Sequence, residues 1–307
     1  MNLALMRVVG FGLGIVAMIA APVLALRPDA WHWLSFQLAD HIGAPSDVLA
    51  LEPFDPEQIP ALRLAAAGDV GTGGPEAHRT AAVMDQLEDE LEFDALLLLG
   101  DNVYPDGDPA ELERTVFDPF DGVLDLDTRL LAVVGNHDVD DGHGNAHAAA
   151  IGMPARWYAT RVGDVVVVAL DSTQPDNPDQ LAWLEETLAG SDATWIIATM
   201  HHPPYSGGYH GSSTEVRAAF SPVFERYGVQ LVLAGHDHDY QRSREVNGVT
   251  YVVTGGAAKL RPTDRADFTE VAWSAHHFVD IAVWADRIEL RAIDHAGDVF
   301  DTVTLTP

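Results

Sequence analysis

A chain of 307 residues with 47% hydrophobic content is long enough for one large globular domain with a substantial core. Its 47 acidic against 17 basic residues give a formal charge of −30, which argues against nucleic acid or an anionic membrane surface as a partner. It has no cysteine, so disulfides and thiolate metal sites are excluded, and any metal must be held by His, carboxylate, amide or phenolate.

Residues 8–26 carry no charge and lie between Arg7 and Arg27. The run reads as a signal peptide ending at Val23-Leu24-Ala25, or as an uncleaved anchor attaching the chain to a membrane. Both readings place the following domain outside the cytoplasm. Residues 28–60, with Trp31, Trp33 and several prolines, read as a lead-in without clear periodicity. The organisation expected is therefore a targeting segment at 1–27, a lead-in at 28–60 and a single domain at 61–307.

From residue 61 a rhythm sets in. Short apolar runs at 62–67, 95–99, 130–134, 165–170, 195–200 and 229–234 have strand length and little alternation, as expected of strands buried on both faces. Helical spacing predicts helices over 75–92, 179–188 and 214–227. Strands alternating with helices predict a layered α/β fold. Four close-set runs at 249–254, 278–284, 288–293 and 299–305 predict an antiparallel tail.

The residues just past the apolar runs carry the chemistry. The runs end in Gly68-Asp69, Gly100-Asp101-Asn102-Val103-Tyr104, Gly135-Asn136-His137-Asp138, Met200-His201-His202-Pro203 and Gly235-His236-Asp237-His238. The carboxyl ends of the strands form the functional crevice of an α/β sheet, so five strands deliver polar groups to one rim. Carboxylate, amide oxygen, imidazole and phenolate are ligands for hard or borderline cations. There are more of them than one ion needs; two ions about 3.5–4 Å apart, bridged by a carboxylate, would use them all. Gly-Asp alone is an ordinary turn, and Gly-Asn-His-Asp is compatible with an Asx-turn. The five in this order are not explained by turns.

This order resembles the calcineurin-like metallophosphoesterases, and Tyr104, three residues after Asp101, resembles specifically the purple acid phosphatases of the small tartrate-resistant type. The similarity runs from about residue 61 to about residue 258. It implies a layered β-sandwich flanked by helices, with the metal site at the carboxyl ends of the strands. It also implies a ferric ion held by Asp69, Asp101, Tyr104 and His238, and a divalent iron, zinc or manganese held by Asp101, Asn136, His201 and His236. His201 rather than His202 takes the ligand position of x-His-x-Pro. His137 and His210 match the two catalytic histidines on the substrate side. The activity implied is hydrolysis of small phosphate monoesters by metal-hydroxide attack in an exported enzyme. The alternative is a phosphodiesterase or nucleotide hydrolase on the same two-metal site. A ferric and a divalent ion bring about +5 and the two aspartates with the phenolate about −3, which leaves a locally attractive site in a repulsive molecule. His143 and His147 read as members of a solvated polar loop. His276, His277 and His295 read as structural, and Arg242 and Arg244 as surface-paired.

Overall fold

The computed structural model describes residues 49–307 apart from 52, 53, 56, 57, 89, 90, 125 and 126. The expected targeting segment, and the lead-in as far as residue 48, lie outside the described residues.

Two seven-stranded mixed sheets carry the architecture. The first contains β1 (Leu49–Ala50), β2 (Leu62–Ala67), β3 (Ala95–Leu99), β4 (Arg129–Val133), β12 (His277–Val283), β13 (Ile288–Asp294) and β14 (Asp298–Leu305). Its order is β1-β14-β13-β12-β2-β3-β4, with β2, β3 and β4 parallel and the remaining pairs antiparallel. The second contains β5 (Tyr158–Val162), β6 (Val165–Ala169), β7 (Trp195–Met200), β8 (Leu231–Ala234), β9 (Tyr240–Ser243), β10 (Thr250–Thr254) and β11 (Thr269–Trp273). Its order is β11-β9-β10-β8-β7-β6-β5, with β6, β7, β8 and β10 parallel.

Strand alternation decides what each face meets. In β7, Trp195 and Ile197 join the core shared with the first sheet, while Ile196, Ala198 and Met200 turn to a second core. In β8 the same split separates Leu231 and Leu233 from Val232 and Ala234. Helices α4 (Pro178–Ala189) and α5 (Thr214–Tyr227) cover the second core with Leu184, Leu188, Phe220 and Phe224. Asn177 caps α4 by accepting from the Asp179 and Gln180 amides, and α5 ends at Gly228 in the left-handed conformation. Across the sandwich β3 meets β7, β4 meets β6 and β10 meets β12. On the first sheet's outer side, helix α1 (Pro75–Glu88) lies against β12. Within that sheet the buried Arg63 of β2 donates to Asp280 of β12 at 3.0 Å, so this deep cation is paired.

The layered α/β fold expected from the runs, and the β-sandwich implied by the resemblance, are what form, with three differences. Helix α1 spans Pro75–Glu88, and residues 91 and 92 of the predicted span stand outside any helix. The run at 249–254 does not belong to the antiparallel tail: as β10 it lies parallel to β8 in the second sheet, while β12 to β14 extend the first. It is buried on both faces, which made it look like its neighbours in sequence. The segment around 138–147 is not a solvated loop. It forms the short helices α2 (Asn136–Val139) and α3 (Gly144–Ala150), and His147 is buried.

Candidate metal centre

Five strand ends meet at one rim. Past β2, β3 and β8 the chain turns through Asp69, Asp101 and His236, each a non-glycine residue with positive φ, of 61°, 52° and 72°. Such conformations are costly for a residue with a β-carbon and gather at functional sites. The glycines provide room. A β-carbon on Gly135 would stand 2.1 Å from Asp101 Oδ1. Gly100, at φ +86°, combines both needs, because a β-carbon there would also meet His201 Nδ1 at 2.7 Å.

The side chains sort into two groups. In one, Tyr104 Oη donates to Asp69 Oδ1 at 2.9 Å, His238 Nε2 lies 3.3 Å from the phenol and 3.3 Å from the same carboxylate oxygen. In the other, His201 Nε2 lies 3.2 Å from Asn136 Oδ1, 3.3 Å from His236 Nδ1 and 3.4 Å from Asp101 Oδ1. Asp101 connects them: ligand atoms of Asp69, Asp101 and His201 all lie within 4.8 Å of one another.

Hydrogen bonds behind these atoms aim them at the rim. His201 Nδ1 pairs with the Leu99 carbonyl at 2.8 Å, which turns Nε2 inward. The second oxygen of Asp69 accepts from the His236 amide at 2.8 Å. His202 stands close to this group: its Nδ1 meets Ser172 Oγ at 3.0 Å, its ring lies beside that of His236, and it offers a ligand atom within 4.8 Å of those of His201 and His236.

Charge completes the test of fit. Asp101 is held well below the usual carboxylate range, since His201 and His137 outweigh the opposing effect of burial. Burial pulls the His201 imidazole down, but Asp101 outweighs it and holds the group up at about 10. Burial together with His201 and His202 keeps neighbouring His236 far below its ordinary value. Burial, then Asp69 and Asp101, push the Tyr104 phenol far up, so phenolate at this position needs a strong compensating cation. Carboxylate, phenol, amide and imidazole groups converging at one rim fit a pair of metal ions, which would displace the protons of His201 and Tyr104.

His137 and His210 flank the groups. His137 Nδ1 bonds the Pro105 carbonyl, and Nε2 faces Asp101 Oδ2 at 4.0 Å. His210 stacks on the His236 ring at 4.3 Å between centroids, held by its amide donating to Asp237 Oδ1 at 2.8 Å. Its Nε2 meets an Arg261 nitrogen; a guanidinium only donates, so this Nε2 accepts.

Three features escaped the sequence reading. Buried Asp138 accepts from the Asn102, Val103 and Gly135 amides at 2.9, 3.1 and 2.8 Å and pairs with His147, locking two motif loops together. It was visible only as the last letter of Gly-Asn-His-Asp. Lys259 Nζ stands 3.7 Å from the centroid of the Tyr104 ring, and the Arg261 amide donates to the His238 carbonyl. The signal was there: the chain's single lysine lies just past a buried strand.

The pattern for calcineurin-like phosphoesterases matches residues 62–240. The chain belongs to that family. It is a metallophosphoesterase, a hydrolase of phosphoric ester bonds. The phosphoesterase is 30% identical over 249 residues to tartrate-resistant acid phosphatase type 5 of Homo sapiens, covering 67% of this chain and 76% of that one. It is 29% identical over 215 residues to purple acid phosphatase 21 of Arabidopsis thaliana, covering 62% of this chain and 47% of the relative. Its fold matches the purple acid phosphatase PPD1 of yellow lupin seeds with a TM-score of 0.70 at 19% identity, over 84% of this chain and 55% of that one. It also matches GAP50, the anchor in the inner membrane complex of Plasmodium, with a TM-score of 0.71 at 19% identity, over 80% and 88%. At such identity these structures speak for the fold alone.

Proposed function

We propose that the phosphoesterase is an exported phosphatase for small phosphate monoesters, of the purple acid phosphatase type. The observation that carries this reading is the Tyr104 hydroxyl lying 2.9 Å from Asp69 Oδ1 and 3.3 Å from His238 Nε2, a phenol inside a ligand set. Asp69, Asp101, Tyr104 and His238 would hold ferric iron; Asp101, Asn136, His201 and His236 would hold a divalent iron, zinc or manganese. When bound, the pair supplies a nucleophile in acid and neutralises charge on the phosphoryl and leaving oxygens.

The protein's own groups do the rest. His137 Nδ1 is engaged with the Pro105 carbonyl, which leaves Nε2 to face the rim. It donates the proton that the leaving alkoxide takes, so ester and water become alcohol and phosphate. His210, accepting from Arg261, holds that guanidinium at the rim, where it and Lys259 meet the dianion of the substrate. Cleavage after Ala25, or retention of the uncharged run 8–26 as an anchor, accompanies export.

A visible spectrum with metal analysis tests the assignment. Phenolate bound to ferric iron gives a broad visible band, which Tyr104→Phe should bleach while the fold stays intact. A colourless, fully active protein containing only zinc or manganese overturns the iron. Assays with p-nitrophenyl phosphate and its bis-ester separate monoesterase from diesterase; preference for the bis-ester favours the alternative. Sequencing the mature amino terminus reads the targeting: a start at Leu26 means cleavage, an intact Met1 in membranes an anchor, and full-length cytosolic protein refutes export.

A further inference from the structure

A second convergence of ligand atoms lies outside the rim. We infer that Glu76, His276 and His295 form an auxiliary site for a divalent cation of the zinc class. Glu76 stands in the first turn of α1, His276 immediately before β12, and His295 in the turn between β13 and β14. Glu76 Oε2 lies 3.4 Å from His295 Nδ1 and 3.9 Å from His276 Nε2, and all three ligand atoms fall within 4.8 Å of one another. Zinc bonds of about 2.0–2.2 Å in tetrahedral angles need ligand atoms about 3.4 Å apart, so Glu76 and His295 already stand at that spacing and His276 must draw in to complete the set.

The surroundings select which nitrogen of each ring is free. Thr80 Oγ1 donates to the Ala257 carbonyl at 2.6 Å, so toward His295 Nε2, at 2.7 Å, it acts as acceptor. His295 therefore carries its proton on Nε2 and turns the Nδ1 lone pair to Glu76. His276 Nδ1 donates to the Gly256 carbonyl at 2.9 Å, which leaves its Nε2 lone pair facing the same carboxylate. An acidic residue in a helix's first turn is explained by the helix dipole, but two imidazole lone pairs aimed at it are not. A cation between them would relieve the mutual repulsion of these three acceptors. Two imidazoles and one carboxylate suit zinc, cobalt or nickel better than magnesium or calcium. The rings stack 8° from parallel at 4.9 Å, so binding tilts one ring out of the stack. Arg79, on the same helix, donates to the His295 carbonyl and ties the turn to α1 without entering the set.

The site joins three segments that brace the catalytic rim. α1 continues the Asp69 turn, and Gly256 follows Gly255, whose β-carbon would stand 2.6 Å from Asp69 Oδ2. An ion here staples the segments together, independently of the metals proposed for the rim.

The test uses the full chain with its rim metals loaded, titrated with Zn(II) against a chromogenic chelator, wild type beside Glu76→Gln/His295→Gln. Wild type should take one more equivalent than the variant and gain thermal stability that the variant does not. Co(II) in place of zinc should add a d–d band absent from the variant. Thr80→Val keeps all three ligands but removes the acceptor that orients His295, and should weaken zinc binding about 10–100-fold. Unchanged rim-metal content and phosphatase activity of Glu76→Gln/His295→Gln would show that it has folded. Equal zinc uptake and equal thermal response in wild type and variant would overturn the site, whatever metals the rim holds. If the double variant misfolds, Thr80→Val decides: an unchanged affinity for zinc overturns the site as well.

Discussion

The histidine–carboxylate clusters at the rim and around Glu76 are held by opposite means. At the rim every proposed ligand stands on or just past a strand end, and backbone conformation aims it, with left-handed turns at Asp69, Asp101 and His236. At the Glu76 cluster the backbone does nothing unusual; a buried hydroxyl and a carbonyl orient two partly exposed rings. The first arrangement is rigid because hydrogen-bonded sheets stand behind it. The second depends on contacts among a helix, a strand entry and a hairpin turn, any of which can shift. Strand ends make sites that are set when the sheet forms, whereas contacts between segments make sites that an ion must finish.

The largest effect should come from breaking the rim where its groups join. Asp101→Ala should empty both metal positions and cut kcat by more than about 10⁴, beyond the loss of any single acid–base group. Metal analysis with steady-state kinetics checks this, and retention of one full equivalent at the rim would show that Asp101 is no bridge. His137→Ala should leave both metals in place and lower kcat by about 10²–10⁴. Near-full activity across the pH range would remove His137 from proton transfer.

Asp138 tests whether the rim's rigidity comes from locked loops. Asp138→Ala strands the Asn102, Val103 and Gly135 amides and unpairs His147, so unfolding in urea should cost about 3–5 kcal/mol less than in wild type. A midpoint equal to wild type would mean that the strands alone hold the turns.

The smallest effect belongs to a contact away from both clusters. Tyr158 of β5 donates to the Ala132 carbonyl of β4 at 2.9 Å, one hydrogen bond across the sandwich. Burial pushes its phenol up to about 12, with the Arg129 guanidinium opposing the shift. Because the folded value lies above the ordinary one, its stabilisation is intact below about pH 10 and is lost as pH rises toward 12. Tyr158→Phe should cost about 1 kcal/mol at neutral pH and flatten the alkaline loss of stability. Thermal melts from pH 7 to 11 read both, and parallel profiles would exclude the residue.

Much of the rim was legible because its determinants are local. An unbroken apolar run makes a doubly buried strand, and a glycine followed by a polar residue marks where it ends, so Asp69, Asp101, Asn136, His201 and His236 could be read one after another. Helix α5 matched its predicted span because its spacing and its flanking Ser213 and Gly228 are written in consecutive residues. The placement of β10 was not legible. Its five buried residues suit either sheet, and only pairing with β8 decides between them.

What the sequence by itself determined was the identity and order of the strand-end groups, hence the α/β class and the resemblance to a metal-dependent phosphoesterase. The resemblance already sorted these groups around Tyr104 and around His201; tertiary structure alone set Lys259 over the Tyr104 ring. It also buried His147 against Asp138 and aimed His276 and His295 at Glu76. Strand formation depends on neighbours a few residues apart, which a sequence displays. Which distant side chains meet depends on how two sheets pack, and no short stretch of the chain encodes it.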